Sequence, residues 1–566
     1  MIHIPYRHMA WRSHFHSTLT IVSISIIAIA IIGAFILING SDSIEASGET
    51  SGTCGDNLTW SISGDGDLII TGTGPMDDYS DTDTRWGGNT VKTVNICGGV
   101  TSIGEFAFNN CSELISIDIP NSVENIGSCA FRGCSKLTSI EIPEGILIID
   151  SLCFSLCTEL TSVLIPESIT DFARCAFYGC DKLTSINIPE GLIGIGTGAF
   201  YGCSMLTSIN LPHQMKGIGD EAFFGCTGLT SIEIPSGITN IMSSTFQGCT
   251  GLMSVHISDD VEEIGNNSFY NCTSLTTVTI PNSIKKIWAG AFAGCSSLNS
   301  IDFPPQIEVI GSSAFSRSGL TAVEIPENVT HINTNTFEYC SELTSVIIGD
   351  SVTSIMPFAF RHCENLSSVA LGSSIKYIRE SAFEECRQLE SIIIPDSVVK
   401  IEAYAFNSCD NLTEIYFGQG LNNIHGAFIR TTSGPEPIFY AEDGKTELDF
   451  ENINDFRGYW FKGINVSNMI RVGQIMKHHV TYIVDGGSER APIQNDLDEG
   501  TKFIIAQYSG TKSGFTFGGW SCDGITYNGE DSIVMGKSNI ILTAIWNPSM
   551  GYRIDFVLNG GSCTTD

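Results

Sequence analysis

Residues 134–154 read CSKLTSIEIPEGILIIDSLCF, and residues 226–246 read CTGLTSIEIPSGITNIMSSTF. The same pattern recurs through the middle of the chain, and each copy contains one phenylalanine, usually preceded by alanine. These residues are Phe108, Phe131, Phe154, Phe177, Phe200, Phe223, Phe246, Phe269, Phe292, Phe315, Phe337, Phe360, Phe383, Phe406 and Phe428. Twelve of the intervals between them are 23 residues long and two are 22. Fifteen copies of one short unit over residues 91–430 predict a repeat solenoid, in which neighbouring units bury each other's apolar side.

A single unit indicates how each coil is built. Leu137, Ile140 and Ile142 match the spacing L-x-x-L-x-L, which is typical of the strand half of a leucine-rich repeat. The side chains of Ile140 and Ile142 face one way and Glu141 faces the other, because side chains alternate along a strand. Pro143 ends the strand, since proline has no N–H to donate. The fold class that we predict is therefore a mostly β, right-handed leucine-rich-repeat coil with a parallel β-sheet.

Cysteines follow the same register. Thirteen of the fifteen units carry a cysteine three residues after the phenylalanine. We expect these thiols to be reduced and to point inwards, because buried free cysteine packs as a small apolar residue. Disulfide bonds and metal ligation are the alternatives, and the lack of any C-x-x-C pair argues against metal. Outside the register, the better candidates for disulfide bonds are Cys54, Cys97, Cys129, Cys153 and Cys175.

The N-terminal residues 1–46 contain a membrane signal. Leu19–Ile38 is a stretch of 20 uncharged residues that follows Arg7 and Arg12. Twenty residues of helix span about 30 Å, the thickness of the hydrocarbon core. The positive flank then predicts an N-in, C-out anchor that leaves the remaining chain extracellular. A signal peptide cleaved after Ala46 and a buried core helix are the alternatives.

The other segments flank the solenoid. Residues 47–90 contain two apolar runs around Gly64-Asp65-Gly66-Asp67, which predict a β-hairpin that caps the first repeat. Residues 431–479 form a connector, and residues 480–547 have the alternating pattern of a small β unit. Residues 548–566 begin a second copy of that unit, so we expect the sequence to be a fragment of a longer protein.

The 23-residue pattern C-x-x-L-T-S-I-x-I-P-x-x-V-x-x-I-G-x-x-A-F resembles the BspA-like leucine-rich-repeat surface proteins. The 480–547 unit, with its Gly-Gly turn, the segment GFTFGGW ending at Trp520 and a terminal Ala-Ile-Trp546, is similar to the Listeria–Bacteroides repeat, a β-grasp-like module. The resemblance implies a microbial cell-surface protein that binds extracellular proteins or glycans in adhesion. It supplies no catalytic residues to transfer to this chain.

Charge and motifs exclude several classes of function. The chain has 28 Lys+Arg against 62 Asp+Glu, a net charge of −34, so its field repels nucleic-acid phosphates. No nucleophile-elbow, zinc-protease or phosphate-loop motif occurs in a supporting context. The pair His478-His479 has no third ligand nearby in sequence, and a polar linker is the simpler interpretation. We therefore predict no catalytic residues, no metal site and no cofactor.

One candidate binding site emerges from the strand residue that faces solvent in every unit. This residue is mostly polar in the first ten units, but it is Ile347, Ala370, Ile393 and Tyr416 in four consecutive later units. Apolar residues that adjoin one another on a polar surface often mark an interaction site. The alternative is that the connector folds back and covers this stripe. The leading functional hypothesis is thus an adhesin-type binding module, with a structural spacer as its rival and an enzyme as a distant third.

Overall fold

The solenoid is built from two columns of parallel strands. The structure is a computed structural model that describes residues 51–83, 86, 90–412, 414–418, 420–424, 427, 439–440, 447–448, 460–462, 470–472, 480–484, 502–509, 512, 515–522, 525–529, 531–534 and 540–548. No helix occurs in this described part, so none there could cross a membrane. The predicted anchor Leu19–Ile38 and the last repeat phenylalanine, Phe428, lie outside it.

The long strands coincide with the L-x-x-L-x-L segment. Neighbouring strands pair in parallel with a shift of one repeat, so that Ile232 lies opposite Val255 and Glu233 lies opposite His256. The long strands are Thr93–Ile96, Ser116–Asp118, Ser139–Glu141, Ser162–Leu164, Ser231–Ile234, Ser254–Ile257, Thr277–Thr279, Ala322–Ile325, Ser345–Ile348, Ser368–Ala370, Ser391–Ile394 and Glu414–Phe417. The predicted parallel, mostly β solenoid is confirmed.

Some repeats lack the long strand, and the first of these shows why. The side chain of Asn187 donates from Nδ2 to the carbonyl oxygen of Ile165 at 2.9 Å and accepts from the N–H of Ile165 at 3.3 Å. Asparagine can satisfy neighbouring backbone groups in this way and so competes with regular strand pairing. The coil of the solenoid continues through these units, although they lack the hydrogen bonds of the long strands.

The second apolar pair of each unit forms a column of short strands. In most of them a buried isoleucine or phenylalanine follows a more exposed residue, as in the pairing of Gly194-Ile195 with Gly217-Ile218, whereas Ser354 is itself buried. The short strands are Val100–Ile103, Asn125–Ile126, Ile148–Ile149, Asp171–Phe172, Gly194–Ile195, Gly217–Ile218, Asn240–Ile241, Glu263–Ile264, Lys286–Ile287, Val309–Ile310, His331–Ile332, Ser354–Ile355, Tyr377–Ile378 and Lys400–Ile401.

The Ala-Phe segment closes each coil as a series of tight turns. Its N–H groups donate to the next repeat, as from Phe223 to the carbonyl of Thr245 at 2.8 Å. Two residues per repeat adopt a left-handed backbone, one two positions before the phenylalanine and one two positions after it, such as Glu221 (φ 57°) and Gly225 (φ 69°). This turn therefore forms a third column of inter-repeat hydrogen bonds.

The repeat phenylalanines form the centre of the core. Phe223 is fully buried, and its ring stacks on Phe200 and on Phe246 with centroid distances of 5.4 Å. The stack continues without interruption from Phe108 to Phe406. Trp86 extends it by stacking on Phe108 at 5.9 Å. The 23-residue period thus corresponds to a continuous column of aromatic rings.

The in-register cysteines are buried, free thiols, as predicted. Twelve of them donate from Sγ to the carbonyl oxygen of the phenylalanine in the preceding repeat, at 3.0–3.3 Å. The candidate cysteines outside the register form no disulfide bonds, because all nineteen cysteines of the described part are free. Cys129 and Cys175 occupy left-handed turn positions, and Cys153 fills the buried position that alanine takes in most units.

Antiparallel strands adjoin both ends of the repeat array. At the start, Ser51–Gly55, Leu58–Ile62 and Asp67–Gly72 form an antiparallel sheet, and Asp67–Gly72 pairs in parallel with Thr93–Ile96. The short strand Gly74–Pro75 pairs with Val100–Ile103. At the far end, Trp460–Lys462 pairs antiparallel with Glu414–Phe417. The remaining strands of this segment are Ile470–Val472, Phe439–Tyr440 and Glu447–Leu448.

The C-terminal β unit has its own small core. Ile540–Pro548 pairs in parallel with Val480–Ile483 and antiparallel with Phe515–Cys522. Tyr482, Trp520 and Leu542 are buried between these strands, and Trp520 Nε1 donates to the carbonyl of Ala506 at 2.9 Å. The other strands are Lys502–Ile504, Ile525–Tyr527 and Ser532–Val534.

Candidate binding surfaces

The predicted stripe lies on the solvent side of the long strands. Ile347 pairs with Ala370, and Ile393 pairs with Tyr416 one repeat further on. The side chains of Ile347 and Ile393 are half-buried, whereas Ala370 is only 5% exposed. Tyr416 lies in the last long strand, and its side chain is outside the described residues. The structure therefore places the four residues in register on neighbouring strands.

The prediction of an exposed side chain is wrong for Ala370. Its single methyl group lies between the strands of Ile347 and Ile393, whose longer side chains shield it from water. Neighbouring strands are only about 4.8 Å apart, so side-chain length decides which residue of a column reaches solvent. The connector contacts this region through the edge of the last strand, where Trp460 pairs with Tyr416.

A second surface, which sequence reasoning missed, lies on the short strands. The outward positions are glycine in two consecutive repeats, Gly194 and Gly217, and Gly196 and Gly219 also line the same surface. The missing side chains leave a groove of about 580 Å³. We call this surface the glycine groove, and its walls are Ile148 and Asp171 on one side and Asn240 and Met242 on the other.

The glycine groove is rimmed by exposed apolar side chains. Of the residues that line it, Ile148 is 47% exposed and Met242 is 40% exposed. Large apolar side chains that stay exposed at the edge of a concavity often mark an interaction site. Asp171 and Lys216 line the same groove and add one charge of each sign. The signal in the sequence was the outward residue of the second apolar pair, compared from repeat to repeat.

Backbone contacts leave little room for a side chain on part of the groove floor. A Cβ on Gly219 would lie 2.5 Å from the backbone nitrogen of Thr197, and one on Gly196 would lie 2.7 Å from the carbonyl carbon of Ala173. Gly217, in contrast, has no atom within 4 Å of an added Cβ. A larger residue at Gly219 or Gly196 would therefore need a local shift of the backbone, whereas the open centre of the groove at Gly217 has no such constraint.

Ionisable side chains of neighbouring repeats form hydrogen bonds and ion pairs with one another. Glu263 accepts from Trp288 Nε1 at 2.8 Å and from Lys286 Nζ at 3.0 Å, and these bonds lower the pKa of its carboxyl group. Lys136–Glu113, Lys182–Glu159 and Lys285–Glu262 are exposed ion pairs with the same one-repeat separation. Exposed pairs of this kind contribute little to stability, at most about 1 kcal/mol each. These ion pairs therefore join neighbouring repeats along the solenoid.

Comparison with known proteins gives consistent results. The model of the BspA type leucine rich repeat region matches residues 87–206, 170–295, 216–344 and 330–439, and that of the Listeria-Bacteroides repeat domain matches residues 478–545. No curated protein matches the chain.

Several solved structures are similar. A leucine-rich repeat protein from Bacteroides ovatus is 24% identical, with a TM-score of 0.47, and the match covers 73% of this chain and 98% of that one. A leucine rich cell surface protein from Faecalibacterium prausnitzii is 26% identical, with a TM-score of 0.34 and coverages of 58% and 96%. A leucine-rich repeat protein from Eubacterium ventriosum is 23% identical, with a TM-score of 0.38 and coverages of 69% and 98%. Since the repeat model matches well over half of the residues, the chain belongs to the BspA type leucine-rich-repeat family and carries a Listeria–Bacteroides repeat domain after its solenoid.

Proposed function

We propose that this chain is a cell-surface binding module whose solenoid attaches to extracellular proteins or glycans in adhesion. Membership of a family of leucine-rich-repeat surface proteins is consistent with protein binding. The observation that carries the proposal is the glycine groove, where Ile148 and Met242 remain exposed at an open concavity. No step of catalysis is part of the proposal.

The chemistry of the groove favours a protein partner. Apolar rims with a few polar groups suit an inserted apolar side chain, while Asp171 and Lys216 can orient the polar backbone or charges around it. Burying the exposed apolar area would stabilise a complex by about 25 cal/mol per Å². The apolar stripe of Ile347, Ala370, Ile393 and Tyr416 is the second contact surface that we propose.

Attachment to the membrane belongs to the same proposal. Leu19–Ile38 would hold the solenoid at the cell surface as an uncleaved helix. A protein held in this way sediments with membranes and resists extraction by high salt. Recovery of soluble protein that begins near Ser47 would show cleavage instead and would exclude the anchor.

The experiment tests both surfaces on the full chain. Purified extracellular-matrix proteins and a glycan array serve as probes. Gly217→Gln fills the groove at a site where the added Cβ meets no atom within 4 Å, and Gly64→Gln, equally unobstructed, is the matched control in the N-terminal hairpin. Ile393→Asp combined with Tyr416→Ala tests the stripe.

Loss of binding in Gly217→Gln but not in Gly64→Gln, at unchanged melting temperature, supports the groove. Loss only in the double variant, again at unchanged melting temperature, supports the stripe. A lower melting temperature of the double variant would mean that the stripe is packed against another part of the chain. If no probe binds the wild type, the rival hypothesis of a structural spacer replaces the binding proposal.

A further inference from the structure

A column of large polar and aromatic side chains replaces glycine late in the solenoid. The left-handed position two residues after the repeat phenylalanine is glycine in Gly133, Gly179, Gly202, Gly225, Gly248 and Gly294. In four later repeats it is Arg317, Tyr339, His362 and Glu385, all with φ between 59° and 61°. A left-handed backbone costs a non-glycine residue about 1–2 kcal/mol. These four repeats carry that cost and present functional groups at the same place.

Three potential metal ligands converge at this column, two from the column itself and one beside it. One ligand atom each from His362, Glu364 and Glu385 lie within 4.8 Å of one another. His362 Nδ1 is 3.2 Å from Glu385 Oε2. Two ligands of a tetrahedral zinc ion at about 2.1 Å are about 3.4 Å apart, so this pair already has the required separation. Glu364 is exposed, and its side chain can move by the remaining distance.

Neighbouring side chains hold two of the three groups in place. The ring of His362 stacks on Tyr339 with a centroid distance of 4.3 Å and an interplanar angle of 10°. The guanidinium of Arg317 lies over the Tyr339 ring, 4.3 Å from its centroid. Arg387 donates to Glu385 Oε2 at 2.6 Å. Such second contacts orient metal ligands and limit the entropy lost on binding.

We propose that His362, Glu364 and Glu385 bind one divalent metal ion of the zinc class. An imidazole combined with carboxylates suits Zn²⁺ and its neighbours, whereas Mg²⁺ and Ca²⁺ prefer oxygen ligands alone. Three protein ligands leave the fourth position for water. Arg387 is a competing cation, but it also contacts Asp410 at 3.3 Å and so keeps a carboxylate partner when the metal takes Glu385.

The sequence could have revealed this site only through its register. His362 and Glu364 are two residues apart, and Glu385 follows His362 by 23 residues, one full repeat. The three residues therefore match no short metal-binding motif. They come together because the solenoid places each residue beside its counterpart in the next coil.

The test measures Zn²⁺ binding to the full chain by competition with a chromophoric chelator, and Co²⁺ binding by its visible absorption. His362→Asn is the main variant, because Asn110 and Asn271 occupy the same left-handed position with φ of 58°. His256→Asn, an exposed histidine on a long strand, is the matched control. Glu385→Gln and Glu364→Gln remove the other ligands, and Arg387→Gln removes the competing cation.

We expect His362→Asn, Glu385→Gln and Glu364→Gln each to bind one Zn²⁺ fewer than the wild type, whereas His256→Asn binds the same number. Arg387→Gln should bind Zn²⁺ more tightly, which a purely structural role for the cluster would not produce. Melting curves without metal establish that the variants fold. If His362→Asn fails to fold, the exposed Glu364→Gln variant decides alone. Equal Zn²⁺ stoichiometry in the wild type and the three ligand variants would overturn the proposal.

Discussion

The thiol of Cys226 donates a hydrogen bond to the backbone carbonyl oxygen of Phe200 in the preceding repeat, with sulfur and oxygen 3.1 Å apart. Both groups are buried, and the same carbonyl oxygen also accepts from the N–H of Cys203 at 3.1 Å. The thiol is therefore a second, weak donor to an oxygen whose two lone pairs can accept both bonds. Cysteine thus fills a small apolar space in the core and adds a weak hydrogen bond to the preceding repeat.

Removal of that thiol should destabilise the solenoid. We expect Cys226→Ala to lower the free energy of unfolding by about 1–3 kcal/mol, mainly because it leaves a cavity in the core, while the Phe200 carbonyl keeps its bond from the Cys203 N–H. Cys226→Ser should lose less, since it keeps a donor. Ser318 occupies the same position in its own repeat and lies 3.3 Å from Cys340 Sγ. Urea denaturation measures the effect, with Cys97→Ala as the partly exposed control, and a serine variant less stable than the alanine variant would contradict it.

Burial should also make these thiols unreactive. It raises the pKa of Cys111, Cys157 and Cys272 to about 12 and that of Cys340 to about 11. Since the thiolate is the nucleophile, iodoacetamide at pH 8 should label none of these four residues in the native protein and all of them in urea. Mass spectrometry of the labelled peptides provides the measurement. Labelling of several buried thiols at native conditions would show that the core is more open than described.

The same pKa shifts predict a dependence of stability on alkaline pH. In the unfolded chain the thiols ionise around their ordinary pKa of 9.0, whereas in the folded chain Cys111, Cys157 and Cys272 stay protonated up to about pH 12. The unfolded state therefore releases its thiol protons at lower pH than the folded state, and the free energy of unfolding decreases between the two pKa values. Stability from the thiols is complete below pH 9 and declines as the pH rises towards 12. Melting temperatures at pH 7, 9 and 10.5 should fall mainly in the last interval, and a constant value would contradict the prediction.

An interior phenylalanine should contribute more than its neighbour in sequence. Phe223→Ala removes a fully buried ring from the aromatic column and should cost about 3–5 kcal/mol. Phe224 stacks on Tyr201 at 4.4 Å but is partly exposed, so Phe224→Ala should cost only about 1 kcal/mol. Because each repeat contacts only its neighbours, Phe223→Ala should also divide the unfolding curve into steps. Equal effects of the two substitutions would argue against the column as the centre of the core.

Relief of the left-handed backbone should stabilise the protein. Ser244 has φ of 56°, a conformation in which glycine is not strained. Ser244→Gly should therefore raise the free energy of unfolding by up to about 1 kcal/mol. Ser231→Gly, in a long strand, is the control and should lower it by about 0.5–1 kcal/mol. Thermal melting distinguishes the two, and a decrease in both would mean that the Ser244 side chain makes an unrecognised contribution.

The sequence predicts this fold well because the repeat period acts as a register. Ile140 and Ile142 are buried and Glu141 is exposed, as their alternation indicates. Features that depend on neighbouring repeats were harder to foresee. The burial of Ala370 follows from the length of adjacent side chains. The groove at Gly217 follows from the absence of outward side chains in two consecutive repeats, at Gly194 and Gly217. The left-handed turn that holds Cys129 and Cys175 is likewise invisible from residue spacing alone.

The strands at the two ends of the array have a consequence for assembly. A parallel column with a constant 23-residue register would offer a second molecule a template on which its own first or last coil could add as one more repeat. Here the column continues at each end into a strand of opposite direction, Leu58–Ile62 beside Asp67–Gly72 and Trp460–Lys462 beside Glu414–Phe417, with further non-repeat strands beyond them. An incoming coil therefore meets strands that lack the 23-residue register of a repeat. We expect these end segments to oppose the growth of fibres through end-to-end addition.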